Sequence, residues 1–148
     1  MYAHILIATD GSEVARRGVD HGLSLARSLG ARVTLLTVTD AYPLYAGGEL
    51  GVVASESVMA SYQSQQAKAA AAVLNSAKQA ASSHGMSVDT VHIPDAPAAE
   101  AIIQAASTRG CDLIVMGSHG RRGLGRLVLG SKAWEVASHS TVPVLIVR

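Results

Sequence analysis

The sequence opens on an apolar run, Ile5-Leu6-Ile7-Ala8-Thr9, that is followed directly by Asp10-Gly11-Ser12. Four further short runs lie along the chain, over residues 32–39, 88–93, 112–117 and 142–147. Most of them are rich in valine and isoleucine and do not alternate with polar residues, which is typical of strands covered on both faces in a parallel sheet. We therefore predict five buried strands.

Helical patterns separate these runs. The first helix is predicted from residues that share one face and end before Gly30, namely Val14, Gly18, Gly22, Leu25 and Leu29. A longer helix is predicted over residues 58–83, a third from Pro97, and a short last helix with Ser131 as its cap. This alternation implies an α/β fold with a parallel sheet and helices on both faces. The strand order then reverses once, and ligands bind beyond the carboxyl ends of the strands at that reversal.

The composition fits one folded domain over residues 1–148. Hydrophobic residues make up 49% of the chain and charged residues 16%, which excludes a disordered protein and favours a substantial core. The formal net charge of +1 gives no case for binding nucleic acid or a membrane. No signal-peptide pattern is visible, and no apolar run approaches the roughly 20 residues that cross a bilayer. A soluble, cytoplasmic protein is expected.

The cysteine and histidine content disfavours a metal site and a disulfide. Cys111 is the only cysteine, so the chain cannot form an internal disulfide and a cysteine-based zinc site is disfavoured. The six histidines are scattered without the spacing of metal ligands. We expect no metal held by protein side chains alone.

The segment most informative about function runs Gly117-Ser118-His119-Gly120-Arg121-Arg122-Gly123-Leu124-Gly125-Arg126-Leu127-Val128-Leu129-Gly130-Ser131-Lys132. It joins a strand to a helix, where a few residues usually suffice. Its glycines allow a ligand to approach backbone N–H groups, and Gly130 and Ser131 open a helix whose positive end favours phosphate. The segment contains no acid and four cations, which are Arg121, Arg122, Arg126 and Lys132. The alternative is a solvated loop with Ser131 as an ordinary helix cap.

Two common nucleotide motifs do not match. A Walker A loop requires Gly-Lys-Ser/Thr, whereas this chain reads Gly130-Ser131-Lys132. The run that begins at Gly123 lacks the third glycine of a dinucleotide fingerprint and does not follow the first strand. A P-loop motor and a redox dinucleotide site are both disfavoured.

The pattern Gly117-x2-Gly120-x9-Gly130-Ser131, together with the first run and the closing run 142–147, resembles the universal stress protein family over essentially the whole chain. The resemblance implies a Rossmann-like, three-layer α/β/α fold with a five-stranded parallel sheet in the order 3-2-1-4-5. It also implies a homodimer in many members. Members that keep the glycine pattern typically bind ATP.

The resemblance assigns roles to individual residues. Gly117, Gly120, Gly130 and Ser131 are expected to hold the ribose and phosphates, and Asp10 to lie near the ribose and any phosphate-bound Mg²⁺. Val38 is expected to read the adenine edge through its backbone. The remaining candidates line the pocket or extend from the loop, and they are Ala8, Thr9, Met116, Ser118, His119, Arg121 and Lys132.

Several of these residues keep a second interpretation. Asp10 with Glu13 also fits a capping box for the first helix. Lys132 either meets the terminal phosphate or lays its stem along the surface with the amine in water. His119 is either a phosphate donor or an exposed loop histidine. Trp134 is expected in the core or at a subunit contact.

Three functions follow. The first is a regulatory module that binds ATP, or AMP or ADP, with Mg²⁺ and hydrolyses it little or not at all, because no base is evident beside the terminal phosphate. The second is a weak Mg²⁺-dependent ATPase or phosphotransferase. The third is a partner-binding protein that uses no nucleotide, which the glycines oppose because packing does not demand all of them.

Two expectations concern the surface. The last strand, which begins at Thr141 and ends at Val147, is an open apolar edge, so pairing with its symmetry mate in a homodimer is expected. In the long connection over residues 40–57, Tyr42 and Tyr45 either close over the nucleotide or anchor the loop.

Overall fold

The computed structural model describes residues 1–43, 55–120 and 128–148. Strands and helices alternate along these residues as β1 (His4–Ala8), α1 (Glu13–Leu29), β2 (Arg32–Val38), α2 (Glu56–Ser83), β3 (Asp89–Ile93), α3 (Ala98–Thr108), β4 (Leu113–Gly117), α4 (Ser131–His139) and β5 (Val144–Val147). The predicted α/β alternation is confirmed.

The strands form one parallel sheet in the order β3-β2-β1-β4-β5. This confirms the order that the resemblance implied. β1 lies at the centre, where Ala8 pairs with Leu36 of β2 on one side and with Met116 of β4 on the other. β1 and β4 are therefore the neighbouring strands between which the order reverses.

Alternate side chains of the strands enter two separate cores. Ile5 and Ile7 of β1 pack beneath α1 and α2, in a cluster with Leu23 and Leu74. Leu6 of β1 faces the opposite side and packs with residues of α3 and α4, among them Ile102 and Val136. These strands are buried on both faces because helices cover the sheet on both sides, which explains their continuous apolar sequences.

The face that α1 buries overlaps the predicted one, since Gly18 and Gly22 are buried and Leu25 and Leu29 pack half-buried against the core. The predicted Val14, Leu25 and Leu29 are only half-buried, whereas the fully buried residues are Ala15, Gly18, Val19, Gly22, Leu23 and Ala26. The helix lies close to the sheet because its glycines face the strands. A Cβ on Gly22 would lie 2.7 Å from Cδ1 of Ile7.

The predicted strand bounds hold within one residue, except that β5 begins at Val144, two residues after the start of the apolar run 142–147 and three after Thr141. The delay has a local cause, since the Ser140 hydroxyl donates to the carbonyl of Val142 at 2.7 Å and accepts from its N–H at 3.1 Å. These bonds hold Val142 in a turn.

The 28 residues of α2 bury side chains only in the second half of the helix, at Ala70, Leu74, Ala77 and Ala81. At 1.5 Å per residue the helix is about 42 Å long, whereas the longest strand, β2, spans only about 23 Å. The first half of α2 therefore extends past the carboxyl edge of the sheet.

Within residues 1–43, 55–120 and 128–148, no helix is long and apolar enough to cross a membrane. In the same residues no three histidine, cysteine, aspartate or glutamate side chains are grouped so that they could hold a metal ion.

Candidate functional site

The carboxyl ends of β1 and β4 lie side by side and send the chain in different directions. After β1 the chain enters α1 on one face of the sheet, and after β4 it reaches α4 on the other face. Hydrogen bonds extend the ladder one residue beyond each strand, from the Thr9 N–H to Leu36 O at 2.9 Å and from the Ser118 N–H to Val147 O at 2.7 Å. This divergence opens a crevice at the carboxyl edge, as parallel sheets do where the strand order reverses.

The β1–α1 turn satisfies its own backbone donors. Oδ1 of Asp10 accepts from the Ser12 N–H at 2.9 Å, and the Thr9 hydroxyl accepts from the Gly11 N–H at 3.2 Å. Ser12 is the N-cap of α1, with its hydroxyl 3.2 Å from the Ala15 N–H. The capping box predicted for Asp10 and Glu13 is therefore wrong, because Ser12 takes the capping position.

The first helical turn of α4 is open by comparison. Its N-cap is Gly130, and no described side chain makes a capping hydrogen bond there. Ser131 is the first helical residue, so the prediction that it caps the helix is wrong. The first backbone bond of the helix runs from the Trp134 N–H to Gly130 O at 2.9 Å. The preceding N–H groups point out of the helix end without an intrahelical acceptor.

The two ends of the loop between β4 and α4 lie next to each other, at Ser118 and Gly130. The Gly130 N–H donates to the Ser118 carbonyl at 2.8 Å, and the Ser118 hydroxyl lies 3.0 Å from Nδ1 of His119. Ser118, His119 and Gly130 are thus brought together at the start of α4. Residues 121–127 lie outside the described part of the chain, and so does the predicted site residue Arg121.

Each glycine of the pattern has a packing reason. A Cβ on Gly117 would lie 3.1 Å from the Ala15 backbone nitrogen, and one on Gly130 would lie 3.0 Å from the Ser118 carbonyl oxygen. A Cβ on Gly120 would lie 2.5 Å from Oδ2 of Asp10. Gly117 and Gly130 are therefore constrained by backbone neighbours, whereas the close atom at Gly120 is the end of the Asp10 side chain, which can shift. Gly120 nonetheless brings the loop backbone against the Asp10 carboxylate.

The predicted lining residues differ in what they expose. Ala8, Thr9 and Met116 are each only 7% exposed, and Ala8 and Met116 belong to the core beneath α3 and α4, so they offer a ligand little surface. Val38 is half-buried at the end of β2. The backbone groups of successive strand residues point alternately to the two neighbouring strands. Leu36 O bonds to β1 and the Thr39 N–H bonds to β3, so the N–H and C=O of Val38 point to the β1 side. They lie beyond Ala8, the last paired residue of β1.

Lys132 lies along the surface, as one of its two interpretations expected, and its contact with a terminal phosphate stays a prediction. Its amine lies 3.9 Å from Oδ1 of Asp40, which follows β2, and both side chains are about 60% exposed. Sequence reasoning missed Asp40 as a functional candidate. The signal was its place directly after a strand, at the same edge as Asp10.

Two aromatic predictions concern Trp134 and Tyr42. Trp134 is 59% exposed on the outer face of α4, so its predicted place in the core is wrong, and a subunit contact stays a prediction. Tyr42 meets Tyr62 of α2 edge to face, with ring centroids 5.2 Å apart. Tyr42 thus anchors the connection after β2, and Tyr45 lies outside the described residues.

The perturbed ionisable groups lie at the amino edge of the sheet, away from the crevice. His4 is buried, with Nε2 2.9 Å from the Thr34 hydroxyl; burial and the nearby Arg32 guanidinium lower the pKa of its imidazole below 6.5. Burial tends to raise the pKa of Asp112, but hydrogen bonds from the Ala3 and His4 N–H groups outweigh it and the pKa is lowered. This cluster joins the chain start to β4 and serves stability.

Comparison with known proteins gives consistent results. A model of the Universal stress protein family matches residues 1–148. Universal stress protein YxiE of Bacillus subtilis is 32% identical over 149 residues, with 100% of each chain covered. The solved structure of MJ0577 from Methanocaldococcus jannaschii is 28% identical with a TM-score of 0.80, covering 99% of this chain and 96% of the other.

A third similar protein is a universal stress protein solved in complex with cAMP. It is 25% identical, its TM-score is 0.71, and the match covers 99% of this chain and 97% of that one. The agreement in sequence and fold extends from the first strand to the last. The chain belongs to the universal stress protein family.

Proposed function

We propose that this protein binds an adenine nucleotide in the crevice between β1 and β4, with ATP and Mg²⁺ as the expected pair, and acts as a nucleotide-dependent regulatory module in a stress response. The observation that carries the proposal is the open first turn of α4 at the point where the strand order reverses. Helix N-termini with unsatisfied N–H groups favour phosphate through those donors and the helix dipole.

The phosphate end of the proposed site is built from the loop and α4. The exposed Ser131 hydroxyl and the first N–H groups of α4 supply donors, and Gly120 keeps the loop backbone close to Asp10. A carboxylate beside a phosphate site suits a phosphate-bound Mg²⁺, which usually takes one or two carboxylates from the protein. We therefore assign Asp10 to the metal side of the ligand.

The base end is assigned to Val38. Its N–H and C=O are turned toward the β1 side beyond the end of β1, where a planar base can pair with them as another strand would. The cAMP bound to a protein of the same family and fold supports adenine as the base. Main-chain groups can recognise adenine without any particular side chain at position 38.

Hydrolysis is expected to be slow or absent. Phosphoryl transfer needs an oriented nucleophile in addition to charge neutralisation. Oδ1 of Asp10 already accepts the Ser12 N–H, and Nδ1 of His119 is 3.0 Å from the Ser118 hydroxyl, so both side chains are engaged in holding the turn and the loop. These contacts favour nucleotide binding without hydrolysis.

The test is calorimetric titration with ATP and Mg²⁺. Ser131→Ala removes a proposed phosphate donor, whereas Ser138→Ala makes the same change on the exposed side of α4. Loss of one hydrogen bond to a charged group corresponds to an affinity about tenfold weaker for Ser131→Ala. Ser138→Ala is expected to bind like the wild type. Equal affinity of both variants, or no heat with wild-type protein, would contradict the proposal.

A weak ATPase is the second candidate, because an imidazole, His119, and a carboxylate, Asp10, both lie beside Gly120 in the loop after β4. Phosphate release measured with His119→Gln separates the two. Release by the wild type that is lost in His119→Gln, with unchanged ATP affinity, would support the enzyme. Release no faster than that of a protein-free control supports the regulatory module.

A further inference from the structure

We infer that the Lys132 amine moves from the Asp40 carboxylate to a phosphate of the ligand when the crevice is filled. Asp40 therefore competes with phosphate-bearing ligands for this amine. The inference rests on the proposed function, because it concerns the same site. It assigns Asp40 a role in specificity that neither the glycine pattern nor the fold supplies.

The ion pair is weak enough to be exchanged. The nitrogen and oxygen are 3.9 Å apart, at the outer limit of a salt bridge, and the side chains are 59% and 60% exposed. Exposed pairs of this kind add little to stability, since water screens them and two flexible side chains must be held in place. A phosphate carries more charge than a carboxylate and therefore attracts the Lys132 amine more strongly.

Lys132 is placed to make the exchange. It is the second residue of α4, in the turn whose backbone N–H groups have no described side-chain cap, and that turn contains no acid. An anion held at this helix end lies within reach of a four-carbon side chain on the same turn. Leaving Asp40 therefore requires rotation of the lysine side chain and no movement of the helix.

Asp40 stays in place during the exchange. Its carbonyl accepts from the Tyr62 hydroxyl at 3.2 Å, and that hydroxyl also accepts from Nε2 of Gln66 at 3.0 Å. Tyr62 is packed edge to face against Tyr42. These contacts fix the Asp40 backbone to the extended half of α2, so its charge remains at the edge of the crevice.

The arrangement predicts a dependence on ligand charge. A neutral nucleoside does not use the Lys132 amine, whereas a phosphate must take that amine from Asp40. Asp40 should therefore weaken binding of ATP more than that of AMP, and leave adenosine unaffected. The Lys132–Asp40 ion pair thus lowers the affinity for a ligand more when the ligand carries more phosphate charge.

The test measures ATP, AMP and adenosine binding by calorimetry at low ionic strength for wild type, Asp40→Asn, Lys132→Gln and the double variant. Asp20→Asn, which removes an exposed acid from α1, is the matched control for net charge. We expect Asp40→Asn to bind ATP about two- to fivefold more tightly, the range that exposed pairs allow. We expect unchanged adenosine affinity, and most of the gain lost when Lys132 is also replaced.

Three outcomes would overturn the inference. These are an ATP gain no larger than that of Asp20→Asn, an equal gain for adenosine, or a full gain in the Lys132→Gln background. Binding of ATP by the wild type in any of these cases leaves the proposed function standing. Failure of every variant to bind ATP would remove the proposed function and the inference with it.

Discussion

Asp10 and Gly120 meet across the crevice, with Oδ2 of Asp10 2.5 Å from the position that a Cβ on residue 120 would occupy. The contact joins the turn after β1 to the loop after β4, which are 110 residues apart in sequence. Oδ1 of the same carboxylate accepts the Ser12 N–H, so the side chain cannot rotate away without losing that bond. A Cβ at position 120 therefore requires either that the Asp10 carboxylate shifts and gives up that bond or that the loop moves.

Gly120→Ala is expected to lower the free energy of unfolding by roughly 1–3 kcal/mol, the usual cost of overpacking, because the added methyl group collides with Asp10. Urea denaturation measures it. A shorter side chain in the double variant Asp10→Ser/Gly120→Ala should recover part of the loss. If Asp10→Ser adds its own cost to that of Gly120→Ala, the collision is not the cause.

Removal of the charge at Asp10 is expected to reduce the contribution of Mg²⁺ to ATP affinity more than it reduces the stability of the fold. Asp10→Asn keeps an oxygen that can accept the Ser12 N–H, whereas Asp10→Ala loses it at a cost of about 1 kcal/mol. ATP titrations with Mg²⁺ and with a chelator should show that the wild type gains affinity from the metal and that Asp10→Asn does not. A metal effect retained in Asp10→Asn would place Mg²⁺ elsewhere.

The buried His4 makes stability fall in mild acid. Burial and Arg32 lower the pKa of the folded imidazole, so the unfolded chain takes up the proton first as the pH drops through 6.5. The stabilisation is therefore complete above pH 6.5 and is lost as the pH falls toward the folded pKa. Urea denaturation at about pH 7.5 and about pH 5.5 should show a smaller loss for His4→Gln than for wild type. His21→Gln, on the exposed surface of α1, should keep the wild-type loss.

The open edge of β5 is expected to pair with its copy in a homodimer. Pro143 O and Val147 O bond toward β4, so strand alternation turns the N–H of Ile146 outward. Ile146→Pro removes that donor without removing a bond to β4. Ile146→Ala is the control, because it also loses the isoleucine side chain but keeps the N–H. Sedimentation should show dimers for wild type and Ile146→Ala and monomers for Ile146→Pro. A wild-type monomer at micromolar concentration would contradict the expectation.

The topology was predictable because its signal is repeated along the sequence. A strand buried on both faces must be apolar throughout, so runs such as Ile5-Leu6-Ile7 identify parallel strands before any contact is known. The details at helix starts were less predictable, since serine suits both N-cap and first-turn positions. Ser12 caps α1 and Ser131 does not cap α4, and only the backbone conformation of Gly130 decides between them.

The candidate site was predictable in sequence position but not in its contacts. The strand ends and the glycine spacing located Asp10, Gly120 and Gly130. The steric reason for each glycine depends on atoms that are distant in sequence, such as the Ala15 nitrogen beside Gly117. The pairing of Lys132 with Asp40 likewise depends on how β2 and α4 lie across the sheet, which no local pattern records.

The confinement of burial to the second half of α2 has a consequence for local opening. Among the described residues, the fourteen before Ala70 bury no side chain and contact the rest of the fold through Tyr62 and Gln63, while Leu74 and Ala81 belong to the core. The amide hydrogens of the first half can therefore exchange with solvent through fraying of that half alone. Those of the second half require the α1–α2 layer to separate from the sheet.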